Sequence, residues 1–265
     1  MIVNNIVEKD IHLISDLQPE KWPDITLDFK FYIGSPFCNP IKILVDEKIV
    51  GVGCGISFGK TAWLAHIIVD EKHRAKGVGT FIVNYLCNYL KSKDASTISL
   101  IATESGFKVY QKVGFSFETE YVFLGKDEKV DHKISNNIRK LEKHDHREVL
   151  SLDKRISGED RSILLRGNLA DSYVHYKQGK IMGYYLPDLG EGLIMAQDME
   201  DGIELMKLRS KHQDRFVLPI NNIPAVEFLL NNGFSEVDRA QRMVYGEGFS
   251  WNPSKLFNRI GGNFG

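Results

Sequence analysis

Apolar residues recur at three- and four-residue intervals through Val78, Phe81, Ile82, Tyr85, Leu86, Tyr89 and Leu90, which predicts a helix laying one broad face on a sheet. The segments around it alternate in kind. Ile41–Val45 and Ile49–Cys54 are apolar runs separated by the polar Asp46-Glu47-Lys48, a hairpin pattern. Ala62–Val69 is a continuous apolar run, as in a strand buried on both faces. Thr97–Thr103 is the next strand, and the short helix after it ends in Val109–Val113, with Gly114 as a left-handed cap. Phe115 to Leu124 then places Phe115, Phe117, Thr119, Tyr121 and Phe123 on one strand face. Upstream, Asp10 is positioned to cap a helix carrying Ile11, Ile14 and Leu17, which Pro19 and Trp22-Pro23 stop. A loop is expected through Ser35-Pro36 and Asn39-Pro40.

The order of elements recurs in the second half. Gly125-Lys-Asp-Glu-Lys-Val-Asp-His-Lys133 is polar and charged and reads as a linker. Beyond it, Tyr173–Gly183 mirrors the hairpin at Ile43–Gly51, and Asn222–Phe234 mirrors the helix-to-strand passage Gly106–Phe115. With 265 residues and 43% hydrophobic content, the chain is long enough for two domains, each burying its own core.

A net charge of −1 and a pI near 6.7, without a basic stripe carrying interleaved aromatics, argue against nucleic acid as a partner. Met1–Asp10 lacks the basic start and apolar run of a signal peptide, and no apolar stretch is long enough to cross a bilayer, so a soluble cytoplasmic enzyme is expected. The three cysteines, Cys38, Cys54 and Cys87, are odd in number and far apart, which points to reduced, buried thiols and excludes a CxxC site.

Candidate chemistry concentrates in His73-Arg-Ala-Lys-Gly-Val-Gly-Thr80, between the buried strand and the amphipathic helix. Gly77 and Gly79 lack a Cβ, so the backbone can turn sharply and approach a ligand, while the helix start aims free N–H groups and its positive dipole end at an anion. Arg74 and Lys76 add positive charge, and Thr80 a hydroxyl. The segment is therefore expected to be a phosphate cradle. Gly53-Cys-Gly-Ile-Ser-Phe-Gly59-Lys60-Thr61 has the composition of a nucleotide phosphate loop, but its first glycine is one residue too far away and a strand follows. Neither Gly-x-Ser-x-Gly nor His-Glu-x-x-His occurs, and His144-Asp-His146 is expected on a solvated helix face.

Strand, Arg74-x-x-Gly77-x-Gly79, helix, strand, then Gly106-Phe-Lys-Val-Tyr110-Gln-Lys-Val-Gly114-Phe115, in this order and spacing, resembles the two central motifs of the GNAT superfamily of N-acetyltransferases. The resemblance implies an α/β fold of two GNAT-like domains, each a central, mostly antiparallel twisted sheet flanked by helices. The catalytic domain would span residues 1–125 and a degenerate one residues 126–265. It implies acetyl-CoA as co-substrate and no metal. The pyrophosphate would lie on the amides of Arg74, Ala75, Lys76, Gly77, Val78, Gly79 and Thr80, and the pantetheine arm beside Ile67, Ile68 and Val69. Thr103, Gly106 and Tyr110 would add contacts, although the family often has Asn where Thr103 stands. In such folds two central strands splay, freeing N–H groups that polarise the thioester carbonyl. Tyr110 stands where the family usually places its general acid; a core tyrosine is the competing role. The base is open. The positions on the buried strand where the family often carries one are Trp63 and Ala65; His66 points to the other face unless a bulge changes the parity, and Glu104 follows the next strand.

The second half departs from the family pattern at the places that matter. Asp198-Met-Glu200-Asp201-Gly-Ile-Glu204 stands where a cradle should, repelling a pyrophosphate, and Leu229 stands in the place of Tyr110. This half is expected not to bind CoA, and instead to complete the acceptor pocket, form a subunit interface or bind a regulatory ligand. The expected activity is acetyl transfer from acetyl-CoA to a primary amine of a small molecule, by direct attack in a ternary complex. An acetyl-CoA sensor without turnover and a protein or peptide N-acetyltransferase are the alternatives. The acceptor, the acyl length and the choice between monomer and homodimer stay open.

Overall fold

The computed structural model describes residues 1–20, 22–126 and 132–265; the middle of the expected linker, 127–131, lies outside them. The chain opens on β1 (Ile2–Asn5) and a broken helical stretch in which α1 (Ile11–Ile14) buries Ile11 and Ile14. Asp10 caps differently from expectation: its carboxylate accepts from the Val7 N–H at 2.9 Å and pairs with Lys42 at 2.6 Å. Ahead of the expected loop, in a stretch given no element from sequence, α2 (Ile25–Gly34) forms, capped by Asp24 through the Thr26 N–H and burying Ile25, Phe29 and Tyr32 at helical spacing. Asn39-Pro40 of that loop lies inside a strand, β2 (Cys38–Val45).

The turn Asp46-Glu47, with φ 48° and 64°, joins β2 to β3 (Lys48–Phe58), which pairs antiparallel with β4 (Thr61–Val69). A Cβ on Gly51 or Gly53 would meet Ile82 at 2.9 and 2.8 Å, so these glycines let α3 (Val78–Ser92) close onto the sheet. The buried face of α3 carries Val78, Ile82, Val83, Leu86, Cys87 and Leu90; Tyr85, expected there, lies off this face and is 39% exposed. Next come β5 (Thr97–Ala102) and α4 (Glu104–Val113), which ends at Gly114 with φ 107°. In β6 (Ser116–Gly125) the covered face begins only at Thr119, so Phe117, expected with the buried row, is exposed.

The second half repeats the succession with β7 (Ile138–Lys140), α5 (His146–Ser157), α6 (Ser162–Leu165), β8 (Tyr173–Lys177), β9 (Lys180–Leu186) and β10 (Leu193–Ala196). Then follow α7 (Met199–Ser210), β11 (Arg215–Pro219), α8 (Ile223–Asn231), β12 (Ser235–Gly246) and β13 (Leu256–Asn258). His144-Asp-His146 is only partly solvated: His144 is exposed, but Asp145 is buried, its carboxylate bidentate on Arg139 at 2.6 and 2.9 Å.

Two units emerge, each assembled from more than one stretch of the chain. The first comprises Met1–Phe117, Met243–Gly248 and Gly262–Phe264; the second comprises Glu118–Arg242, Phe249–Gly261 and Gly265. In the first unit the strand order is β1-β2-β3-β4-β5, with the end of β12 beyond β5. There the Glu247 N–H donates to Ser96 O at 3.0 Å and Lys91 donates to the Tyr245 hydroxyl. In the second unit the order is β13-β10-β9-β8-β7, and β11 pairs antiparallel with β6 from Arg215↔Gly125 to Pro219↔Tyr121. Each unit has its own core, around Ile41, Ile82, Leu86 and Leu100 in the first and around Ile194, Leu205, Phe216 and Phe257 in the second. Cys38, Cys54 and Cys87 are free thiols, the last two buried. Among the described residues no helix is long and apolar enough to cross a membrane, and no group of three or more His, Cys, Asp or Glu could hold a metal ion.

Candidate active site

Strands β4 and β5 run parallel but pair only through Thr61↔Thr97, Ala62↔Ile98 and Trp63↔Ser99. Beyond Trp63 the described pairing with β5 ends, leaving the Leu64–Val69 edge open on that side. In the same stretch the register with β3 shifts between Val52 and Cys54, so that His66 and Ile67 together oppose Gly53, and His66 takes φ 50°. This is a β-bulge, whose extra residue loses its ladder partners.

The bulge reverses the parity of a regular strand and turns His66 toward α2. Its Nδ1 lies 2.8 Å from the Tyr32 hydroxyl and its Nε2 3.4 Å from Asp28 Oδ2. One tautomer satisfies both contacts: the N–H on Nε2 faces the carboxylate, and Nδ1 accepts from the Tyr32 O–H. The rings of Trp22, Phe29 and Tyr32 stand 5.7, 5.8 and 5.7 Å from the imidazole. Burial, with Cys54 and Asp28 nearby, pushes the Tyr32 phenol well above its ordinary range, so it keeps its proton. Asp28 and Tyr32 are not anticipated from sequence, although the Asp24 cap and the Ile25, Phe29, Tyr32 spacing carry the signal for their helix.

The chain leaves β4 through a tight turn in which His73 Nδ1 bonds the Asp70 carboxylate at 2.5 Å. Ala75 and Gly77 then both adopt left-handed conformations, with φ 61° and 84°, and nothing lies within 4 Å of a Cβ built on Gly77. The first helical bond of α3 is Phe81 N–H to Gly77 O at 2.9 Å, so the amides of its first turn have no partner within the helix. No acidic residue occupies that turn, Lys76 is exposed beside it and Thr80 is half-buried within it. Arg74 folds back instead, donating to Val69 O at 3.3 Å and to Glu71 at 3.1 Å. Left-handed turns, free amides and a lysine make a donor set that fits a pyrophosphate.

Gly79 brings the cradle against its neighbours: a Cβ there would lie 3.7 Å from Val69 and 3.9 Å from Val109 of α4. Ile67 faces α3, close to Gly53, and Ile68 is buried. On α4, Thr103 is the N-cap, accepting from the Gly106 N–H at 3.3 Å. A Cβ on Gly106 would meet the Tyr110 ring at 2.9 Å, so this glycine lets the phenol lie along the first turn. Tyr110 packs on Phe115 at 5.9 Å, and burial pushes its hydroxyl well above the ordinary range. Glu104 is exposed in the same first turn, and the described polar partners of His66 are Tyr32 and Asp28.

The second unit uses the matching positions differently. Only Gln197 and Asp198 separate β10 from α7, and the first turn of α7 carries Glu200 and Asp201. Asp201 is buried with one carboxylate oxygen 3.0 Å from His175 Nδ1. The place between β10 and β11 is filled by β13, which pairs with β10 while the Arg259 N–H donates to Val217 O at 2.9 Å. Asn258 accepts from the Val217 N–H at 2.8 Å and donates to Gly192 O at 2.8 Å. Phe257 lies so close over Gly202 that a Cβ there would enter its ring. Leu229 is fully buried in the core of this unit.

A model of the acetyltransferase (GNAT) family matches residues 9–115, and a model of a GNAT acetyltransferase domain matches residues 149–258. Solved structures similar over the whole chain include a candidate acetyltransferase from Pyrococcus horikoshii, 19% identical, with a TM-score of 0.84, covering 100% of this chain and 95% of that one. A GCN5-related N-acetyltransferase from Sphaerobacter thermophilus is 12% identical with a TM-score of 0.63, covering 96% of this chain and 98% of that one. A tandem GNAT protein from the clavulanic acid biosynthesis pathway is 11% identical with a TM-score of 0.61, covering 94% and 99%. At these identities the likeness is one of fold. No curated protein matches the chain.

Proposed function

Because the chain belongs to the acetyltransferase (GNAT) family, with one domain of that family in each half, we propose that its first half transfers an acetyl group from acetyl-CoA to a primary amine of a small molecule. One observation carries this reading: β4 parts from β5 after Trp63 and ends in a left-handed cradle at a helix start free of acidic residues. The amides of residues 75–80 and Lys76 hold the pyrophosphate, and Ile67–Val69 border the arm. When bound, acetyl-CoA supplies an activated acyl group and a thiol leaving group.

The chain's own residues manage charge and protons. N–H groups freed by the bulge at His66 face the carbonyl oxygen as negative charge develops there. An amine with a pKa near 10.4 is neutral in only about one molecule in 2,500 at pH 7, so a base is needed. His66 serves: the Tyr32 oxygen takes a proton from the attacking amine and passes its own to Nδ1, while Asp28 beside Nε2 stabilises the imidazolium. As the C–N bond forms and the C–S bond breaks, the Tyr110 hydroxyl gives its proton to the departing sulfur. The second half, with β13 between β10 and β11, takes no acyl-CoA.

The test is thiol release from acetyl-CoA across a panel of primary amines, alongside calorimetric binding of acetyl-CoA. Amine-dependent release with one cofactor bound per chain is expected. Tight binding without turnover on any amine would replace the enzyme by a sensor, and absent binding would remove the cradle.

A further inference from the structure

Gly262–Phe264 belongs to the first unit and lies against α2. Asn263 Nδ2 donates to Asp28 Oδ1 at 3.2 Å and to the Tyr32 hydroxyl oxygen at 3.0 Å. Phe264, 5% exposed, sets its ring edge-on to Phe31 at 6.0 Å and tilted against Phe58 at 6.5 Å. A neutral carboxamide thus stands between the two groups that flank His66.

The electrostatics favour a different occupant. The described partners of the Asp28 carboxylate are an imidazole and this carboxamide, with no lysine or arginine in ion-pair contact. A half-exposed carboxylate gains more from a cation than from a neutral N–H donor, because a charge-assisted hydrogen bond is the stronger, and the rings of Trp22, Phe29 and Tyr32 around the neighbouring imidazole also favour an ammonium. The Tyr32 oxygen, which receives the Asn263 N–H, is also the atom that a neutral amine would use on its way to His66.

We propose that Asp28 and Tyr32 form the ammonium subsite of the acceptor, and that Asn263-Phe264 is an internal occupant of it. The carboxamide stands in for the amine, and the ring of Phe264 for an apolar substituent. The acceptor class is then a primary amine carrying an aryl or alkyl group a few bonds from nitrogen, which must displace this segment to bind. The direction of chemistry rests on the acyl-transfer reading above; occupancy of the subsite does not.

Calorimetric titration of phenethylamine and of methylamine into the full chain, with coenzyme A present, tests the assignment without turnover. Phenethylamine should bind more tightly than methylamine. Asn263→Ala should tighten phenethylamine about five- to tenfold by removing the competing hydrogen bonds, and Asp28→Asn should weaken it at least about tenfold. Asn263→Ser, with a shorter side chain, should act as Asn263→Ala does if the latter folds poorly. Unchanged or weaker binding in both Asn263 variants would make the segment a structural anchor and overturn the proposal. Amine binding with this pattern but no thiol release would leave the subsite standing and remove the enzymatic reading; thiol release without the pattern would do the reverse.

Discussion

The strand-to-helix passage is built twice in this chain, and the two copies place different charge at the positive end of their helix. After β4, the turn through Asp70–Gly77 ends in left-handed residues and an acid-free first turn, whose amides have no partner within the helix. After β10, only two residues intervene, and Asp201 is buried at the start of α7 with its own carboxylate at His175. The gap beside the strand follows the same contrast, open next to β4 and occupied by β13 next to β10. The same fold thus places a lysine and left-handed residues at one helix start and carboxylates at the other, and leaves one strand edge without its parallel neighbour while a short strand covers the other.

The largest effect should come from emptying the filled gap. Phe257→Ala removes a fully buried ring and should cost about 3–5 kcal/mol, read as a large drop in Tm, without giving the second half any affinity for acetyl-CoA. Acquired cofactor binding there would break the contrast. Next is Gly77→Val, which forces a β-branched residue into a left-handed conformation at the cradle. Acetyl-CoA affinity should fall on the order of a thousandfold, about 4 kcal/mol, by calorimetry, with the fold retained and Tm lowered by the backbone strain of about 1–3 kcal/mol. Retained affinity would mean that the cradle does not hold the cofactor.

Tyr110→Phe should lower kcat on the order of a hundredfold and leave the acetyl-CoA Kd unchanged, while Leu229→Tyr in the second half should change neither. The effect belongs at the low end for a general acid, since the burial that keeps Tyr110 protonated also makes its proton costly to give up. Equal turnover would leave Tyr110 as a packing residue.

The smallest effect concerns what the halves share. Asp145 is held below the ordinary carboxylate range by Arg139, and Asp10 by Lys42 and the Val7 N–H, which outweigh burial. A carboxyl depressed in the folded state stabilises above its ordinary value of 3.8 and loses that contribution as pH falls through the lower folded value. Melting curves from pH 7 to 3 should show an acid-side loss of stability that Asp145→Asn reduces. An unaltered acid limb would show that this pair contributes nothing.

The glycine turn into α3, the passage through Gly106 to Phe115 and the repeat were legible because each is local: glycine positions, caps and periodicity lie within a few residues. Helix α2 was not. Ile25-Thr-Leu-Asp-Phe-Lys-Phe alternates apolar and polar residues like a strand, between Trp22-Pro23 and Ser35-Pro36, and its helical identity shows only in the Asp24 cap and in the burial of Ile25, Phe29 and Tyr32. The direction of His66 depends on a bulge set by pairing with a distant strand, so parity along β4 alone points the wrong way. β13 covers only Leu256–Asn258, too short for any periodicity, and the acidic start of α7 told only half of why the second copy is closed. Nothing local marks Met243–Gly248 or Gly262–Phe264 as parts of the first unit.

Those two segments bear on how the protein is made. A growing chain folds from its N-terminal end as domains emerge, yet this first unit lacks two of its parts until residue 264 has been synthesised. On the ribosome, β5 waits without the Met243–Gly248 segment beside it, an unpaired strand edge open to wrong partners. A chain cut between the two units would then leave β5 without the Met243–Gly248 segment beside it, so the first unit is not separable at a single point in the sequence.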